Sequence, residues 1–419
     1  MDNILTKRIL TKINGYLSCP ADMTKPERRC LKDMVTGILK SRSVFVNQIA
    51  ASLREPLRLK DVAKRLSSQY LKEDYADKVL EGHLGSAALG VSKDDFIVMD
   101  GTDISKKHAK YMEGLEFVKN GDTGEIGLGY NVLNITAVNA HKEMSPLMGR
   151  AYSYEMGALS SNKEIKETVR KVKEHIGDKG CWVFDRGADN QILKDFFIGE
   201  CPRAIIRLKK NTRVDHGGEK VEAGELAKKV DLTTGQKVIK IKKDRPVAEI
   251  YDIGAVPIEY RIGRSVHHLW LVVTKNRRHG GLCYLLVKSD LATSVEVAKW
   301  AFKGYGLRWK IEEYHRHVKQ EYGLEDIQIK TFTGLQSMLA VLTAAMYMIY
   351  RKIRSMHTDL LLDAGYNYLN KNVPRELVNF IYYKISKVVS ILLMPVRTRW
   401  KIDDMVPDPF LGQLDLKFN

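Results

Sequence analysis

The chain has 419 residues, of which 44% are hydrophobic and 28% charged, with a formal net charge of +17 at pH 7 and an isoelectric point near 9.4. This composition excludes a disordered polymer and a disulfide scaffold, and it allows roughly two to four folding units around a real core. A basic excess of this size points to a polyanionic partner, nucleic acid first. The cations recur along the chain, as in Lys209-Lys210, Lys242-Lys243 and Arg277-Arg278, so the expected basic surface is folded and not a tail. The five cysteines (Cys19, Cys30, Cys181, Cys201, Cys283) contain no Cys-x-x-Cys pair, which argues against a zinc cluster. Cys181 and Cys283 lie in apolar runs and read as buried thiols. The first residues show no apolar signal segment. The longest apolar run, residues 338–350, holds about thirteen residues, too few to span a bilayer. No membrane association is expected, and the chain reads as cytoplasmic with access to DNA.

Residues 1–90 form a helical region. Apolar residues recur at three- and four-residue spacing over 31–39, 44–53 and 57–71, with lysines and arginines between. Short basic helices suit a DNA-binding region, and a plain helical subdomain with a solvated basic face is the equal alternative. Residues 82–90 read as a linker. Residues 91–208 make the first part of an α/β core. The run 96–99 (Phe-Ile-Val-Met) is a strand that ends at Asp100, followed by a turn Asp-Gly-Thr-Asp. Strands are expected at 126–138 and 145–154, and a helix at 160–176 capped by Ser161 or Asn162. The run 181–184 (Cys-Trp-Val-Phe) is a strand that ends at Asp185. A helix at 190–197 capped by Asp189 and a strand at 204–208 follow. Residues 209–288 read as a β-rich block with strands at 238–242, 247–251, 260–262, 269–273 and 284–287. Residues 289–332 return to helix. Residues 333–419 are helical and apolar, a candidate for dimerisation, with a loose tail marked by Pro395 and by Pro407 to Pro409. The fold class is a mixed α/β sheet covered by helices, with helical regions at both ends of the chain.

Residues 305–319 read Tyr-Gly-Leu-Arg-Trp-Lys-Ile-Glu-Glu-Tyr-His-Arg-His-Val-Lys. On a helix turning about 100° per residue, Tyr305, Arg308, Glu312 and Lys319 fall within about 60° of one another. A carboxylate that holds a metal, beside cations that hold phosphates, has this pattern. A salt-bridged outer face is the plain alternative, because Arg308 and Glu312 stand at i,i+4. Asp100 and Asp185 each follow a strand, where side chains of an open α/β sheet converge on a ligand. Two such carboxylates repel unless a cation lies between them, and Mg2+ or Mn2+ suits all-oxygen ligands. Glu312 would complete a two-metal site. Taken singly, each Asp reads equally as a turn residue or helix cap. Asp103 reads as a surface Asx turn, and Glu313 points about 100° away from Glu312. His315 and His317 read as phosphate or solvent contacts.

Here the sequence resembles a family. Tyr305, Arg308, Glu312 and Lys319 match the Tyr-x2-Arg-x3-Glu-x6-Lys signature of the IS-four family of bacterial insertion-sequence DDE transposases. Asp100-Gly-Thr resembles its first acidic motif, and the run from Asp185 to Asp189 (Asp-Arg-Gly-Ala-Asp) its second. The resemblance covers about residues 95–350. It implies an RNase-H-like core interrupted by a β-rich insertion at 209–288, with the core's second part at 289–332 carrying the acidic helix. It implies Asp100, Asp185 and Glu312 as a triad for two Mg2+ or Mn2+ ions, with Tyr305, Arg308 and Lys319 on phosphates. It also implies a homodimer that holds terminal inverted repeats and target double-stranded DNA, cuts and joins it, and associates with the nucleoid when bound. In a relative, a Trp of the insertion stacks on a base flipped out during hairpin formation. Tyr284 takes that place here, and a strand aromatic facing the core is its alternative. Two rival functions remain on the same residues: a metal-dependent nuclease without strand transfer, and a non-catalytic DNA-binding protein derived from a transposase.

Overall fold

Five helices open the chain: α1 (Asp2–Leu17), α2 (Lys25–Ser41), α3 (Val46–Ser52), α4 (Leu59–Tyr70) and α5 (Tyr75–Ala88). The computed structural model describes residues 2–17, 22–106, 109, 111–121, 123–232, 234–242, 245–354 and 381–397. Of the expected proline-marked tail, residues 398–419 lie outside these residues. α2 starts where the Thr24 amide donates to the Glu27 carboxylate at 2.8 Å, half of a capping box. The segment expected as a linker at 82–90 is instead the last part of α5, because His83, Leu84, Ala87 and Ala88 are all buried and hold it in place.

These helices do not stand apart. They share one apolar core with α11 (Phe332–Tyr347) and α12 (Tyr382–Leu393). The Thr6 hydroxyl donates to the Leu392 carbonyl at 3.2 Å, and the buried Lys40 ammonium to the Val396 carbonyl at 2.5 Å. α11 runs on through a π turn, Met348–Ile353. The continuous helix Phe332–Ile353 has 22 residues and is long and apolar enough to cross a membrane, longer than the run read from sequence. Its most apolar stretch is 83% buried inside the protein. A helix that is apolar all round is either a membrane span or a core helix. This one packs on α5, α2 and the sheet.

One sheet of twelve strands organises the rest. The strands are β1 (Phe96–Ser105), β2 (Glu116–Lys119), β3 (Ile126–Val138), β4 (Met144–Tyr152), β5 (Cys181–Phe184) and β6 (Ala204–Leu208), then β7 (Arg213–His216), β8 (Glu219–Glu222), β9 (Thr234–Lys242), β10 (Arg245–Ile262), β11 (Ser265–Asn276) and β12 (Leu282–Lys288). Their order is β2-β3-β1-β5-β6-β12-β11-β10-β7-β8, with β4 on β3 and β9 on β10. β1, β5 and β6 are parallel, and the other pairs are antiparallel. The β-rich block is therefore continuous with the core sheet: β12 pairs β6, with Tyr284 opposite Leu208. The strands expected at 247–251 and 260–262 are one strand, β10, paired along most of its length with β11.

Three local expectations change for physical reasons. The stretch Asp-Gly-Thr-Asp is not a turn, because β1 continues to Ser105 in full register with β3. α6 (Ser161–Ile176) is capped by Ser160, whose hydroxyl accepts from the Lys163 amide at 3.2 Å. α7 (Gln191–Glu200) is capped by Asn190, which accepts from Leu193 at 3.0 Å. Asp189 is taken up elsewhere: it pairs with Lys194 at 3.0 Å and accepts from the Lys209 amide at 2.6 Å. Of the described cysteines, Cys30, Cys181 and Cys201 are buried free thiols and Cys283 is partly buried.

Candidate active site

β1 and β5 are parallel with Val98 opposite Val183. Asp100 and Asp185 each stand two residues further on, Asp185 at the carboxyl end of β5 and Asp100 within β1 just past its last pair with β5. They therefore lie side by side where the parallel pairing stops, a place where ligands of α/β sheets collect. Asp185 opens a 3-10 turn, Arg186–Ala188, and its Oδ1 accepts from the Gly187 amide at 2.7 Å. A side chain at 187 would come within 2.9 Å of that oxygen, so glycine permits the tight turn. The other carboxylate oxygen of Asp185 has no hydrogen-bond partner among the described residues.

The third carboxylate arrives on helix. The single helix expected over 305–319 is two, α9 (Ser294–Leu307) and α10 (Trp309–Tyr322), which meet at Arg308. α9 can lie directly on the sheet because residue 304 is glycine; a Cβ there would fall 2.2 Å from the Phe96 ring. That approach sets Arg308 over Asp100 in β1. Its Nη1 donates to Asp100 Oδ2 at 3.1 Å, and its Nη2 donates to the Glu312 carboxylate. Arg308 thus links two of the three acids.

Burial pushes the Asp100 carboxyl up to about 6. Arg308 opposes this, and the charges of Asp185 and Glu312 add to it. Asp100 therefore feels both other carboxylates through the same space. Burial works against the charge on Arg308, but Asp100 and Glu312 outweigh it and its pKa is raised. Tyr305 sits beneath two guanidinium groups, with Arg207 at 6.0 Å and Arg308 at 5.9 Å from its ring centre. The Arg207 contact was not visible in sequence, since the two residues are 98 positions apart.

Lys319 is at the other end of α10 and does not join this group. It lies 3.2 Å from Asp103 Oδ1 and 2.9 Å from Glu325 Oε1. Asp103 is not a surface turn residue. It is 4% exposed and also accepts from the Gly121 amide at 3.0 Å. A cleft of about 700 Å³ connects the two ends of α10, with Asp100, Asp103, Lys119, Glu312, Arg316 and Lys319 among its walls.

Three other expected contacts belong to the interior. Tyr284 is 7% exposed in β12, between Leu208 of β6 and Val273 of β11. A ring held there packs, and it presents no face to an extruded base. His315 takes a hydrogen bond from the Asn134 amide at 3.2 Å, and burial with the nearby Lys319 and Arg308 charges lowers its pKa to about 3. His317 lies 2.7 Å from the Tyr350 hydroxyl and is lowered to about 3, chiefly by burial. Both are neutral; His317 is fully enclosed and packs, whereas His315, 8% exposed, lines the cleft. Glu313 turns to Lys310 at 2.6 Å, away from Glu312.

Among the described residues, no three His, Cys, Asp or Glu side chains are already gathered as a metal cage. The donor chemistry nevertheless fits a hard divalent cation. Asp100, Asp185 and Glu312 offer oxygen only. Arg308 balances one of their three negative charges.

Two carboxylates on adjacent parallel strands are answered by a helix carboxylate, in a chain of charge +17. Residues 91–349 match the family model of the transposase DDE domain. The match covers more than half of the chain, and the chain belongs to that family: it is a DDE transposase. No curated protein matches the chain. The family's transposases bind and cut DNA and generally use divalent metal ions.

Proposed function

We propose that this transposase, of the IS-four kind with an RNase-H-like core and a β-rich insertion, cuts DNA at the ends of an insertion sequence and joins the freed 3′ ends to target DNA as a homodimer. The observation that carries the reading is the half-buried Asp100 carboxyl, beside Asp185 and tied through Arg308 to Glu312. Asp100, Asp185 and Glu312 would hold Mg2+ or Mn2+. When bound, such ions activate an attacking water or 3′ hydroxyl and stabilise the leaving oxygen. The rest is positioning and charge neutralisation by the chain. Arg308 offsets the acids until phosphate draws it away. Tyr305 holds the Arg308 guanidinium over Asp100. The exposed Lys119 and Arg316 at the cleft face the backbone. Lys25, Arg28 and Lys32, all exposed, lie on one face of α2 and add sequence-independent attraction through counterion release.

End-labelled duplexes carrying the inverted repeats that flank the gene, incubated in Mg2+ with a target plasmid, test the reading. Cleavage and joining by the parent protein, both lost in Glu312→Gln, are expected. Cleavage without joining would favour a nuclease, and binding without cleavage a transposase-derived binding protein.

A further inference from the structure

We propose that Asp103 and Glu325 are positioning residues that clamp Lys319, and that Lys319 serves as a strut between β1 and α10 and not as a phosphate contact. The inference rests on the reading that Asp100, Asp185 and Glu312 form the reacting centre.

Charge is the first ground. An ammonium group has three donors. Lys319 donates to Asp103 Oδ1 at 3.2 Å and lies in an ion pair with Glu325 Oε1 at 2.9 Å. The group of three carries a net charge of one negative unit, so an approaching phosphate meets repulsion. Burial is the second. The Lys319 side chain is 10% exposed, and the second Asp103 oxygen is sealed from solvent with no hydrogen-bond partner. A carboxylate enclosed in this way depends on the cation beside it.

Geometry is the third. Arg308 ties the start of α10 to β1 through Asp100, and Lys319 ties its end to β1 through Asp103. One tie leaves a helix free to pivot, whereas two fix its direction. Glu325 belongs to the turn Leu324–Asp326 that follows α10. The buried Lys106 of the β1 end donates to the carbonyls of Glu325 and Ile327, so the same turn is anchored to the strand a second time. Glu312 stands two helical turns before Lys319. A small swing of α10 about Arg308 would move the Glu312 carboxylate relative to Asp100, and a displacement of about 1 Å in such a site can cost on the order of 10²-fold in rate.

The test is a double-mutant cycle with Asp103→Asn, Lys319→Met and the pair together, read by single-turnover cleavage of pre-bound end DNA and by the salt dependence of end binding. The clamp requires each single variant to lower the cleavage rate by about 10- to 100-fold. It requires the double to be no slower than the slower single, and all salt slopes to stay at the parental value. A phosphate contact instead requires Lys319→Met to reduce the slope by about one unit with the cleavage rate of bound DNA retained, and that result overturns the clamp. Should the Asp103 variant fail to fold, Glu325→Gln, at a more exposed carboxylate, gives the same reading: a slower rate at an unchanged slope supports the clamp, and a parental rate overturns it. Glu312→Gln separates the two levels. If it cleaves like the parent, the triad reading fails. If it is dead while Lys319→Met cleaves at the parental rate, only the clamp fails.

Discussion

At each end of α10 a cation stands between a carboxylate of β1 and a carboxylate from its own end of the helix. Arg308 is shared by Asp100 and Glu312, and Lys319 by Asp103 and Glu325. The two ends differ in their surroundings. Beside the first lies a third acid, Asp185, and the Asp100 carboxyl is pushed up to about 6. Beside the second stands the buried Lys106, bonded to the Glu325 carbonyl, and Asp103 is sealed in the interior. The same three-group device thus carries one surplus negative charge at each end, and Asp185 adds a second at the Arg308 end. The larger surplus suits a site for a divalent cation, and the smaller, enclosed one suits a structural tie.

The strongest way to break this comparison is to neutralise one acid at a time. Glu312→Gln should lower cleavage by about 10³-fold or more, the loss of several kcal/mol of transition-state stabilisation, on denaturing gels of labelled ends. The same change at Glu325 should cost far less, and equal losses would erase the distinction. Arg308→Met should lower the stability of metal-free protein by about 3 kcal/mol, because it leaves clustered carboxylates without a counter-charge. Melting curves in chelator should show the loss, and added Mn2+ should restore much of it. A control away from both ends is Tyr284→Ala. It should cost about 3 kcal/mol as a truncated core aromatic and slow both strand cuts together, while Tyr284→Phe stays near parental.

Smaller effects sharpen the picture. Removing Lys25, Arg28 and Lys32 together should reduce the salt slope of DNA binding by roughly 0.9 per lost phosphate contact, with the cleavage rate of bound DNA unchanged. The smallest effect concerns the buried histidines of α10 and α5. Burial lowers His315 and His317 to about 3 and His83 to about 4. Below pH 6.5 the unfolded chain binds protons that the folded chain refuses. Stability should therefore be full above about 6.5 and fall steadily as pH drops towards 3. A denaturant series across this range measures it, and His317→Gln should flatten the slope.

Much of the fold was legible locally. The apolar runs before Asp100 and Asp185 mark two real strands, and the i,i+4 spacing of Arg308 and Glu312 marks a real ion pair. What escaped is non-local. No periodicity tells that residues 282–288 pair with 204–208, so a block that reads as separate joins the core sheet. Asp103 meets Lys319 across 216 positions, which spacing cannot reveal. Tyr284 and the two histidines failed for a different reason. A strand with neighbours on both edges and a helix enclosed on most of its circumference bury faces that an amphipathic reading assigns to solvent.

The junction of β6 with β12 has a consequence for how the protein is made. Chains fold from the N-terminus as they leave the ribosome, and contacts between distant segments must wait for the later partner. β6 is synthesised long before β12, and until residues 282–288 emerge its edge stays unpaired, a template for wrong pairing. The acids follow the same schedule. Asp100 and Asp185 are in place early, but Glu312 comes only after the sheet can close. A chain halted before that point holds two of the three carboxylates and an open edge, so synthesis itself keeps the acidic centre incomplete until the scaffold that orders it is whole.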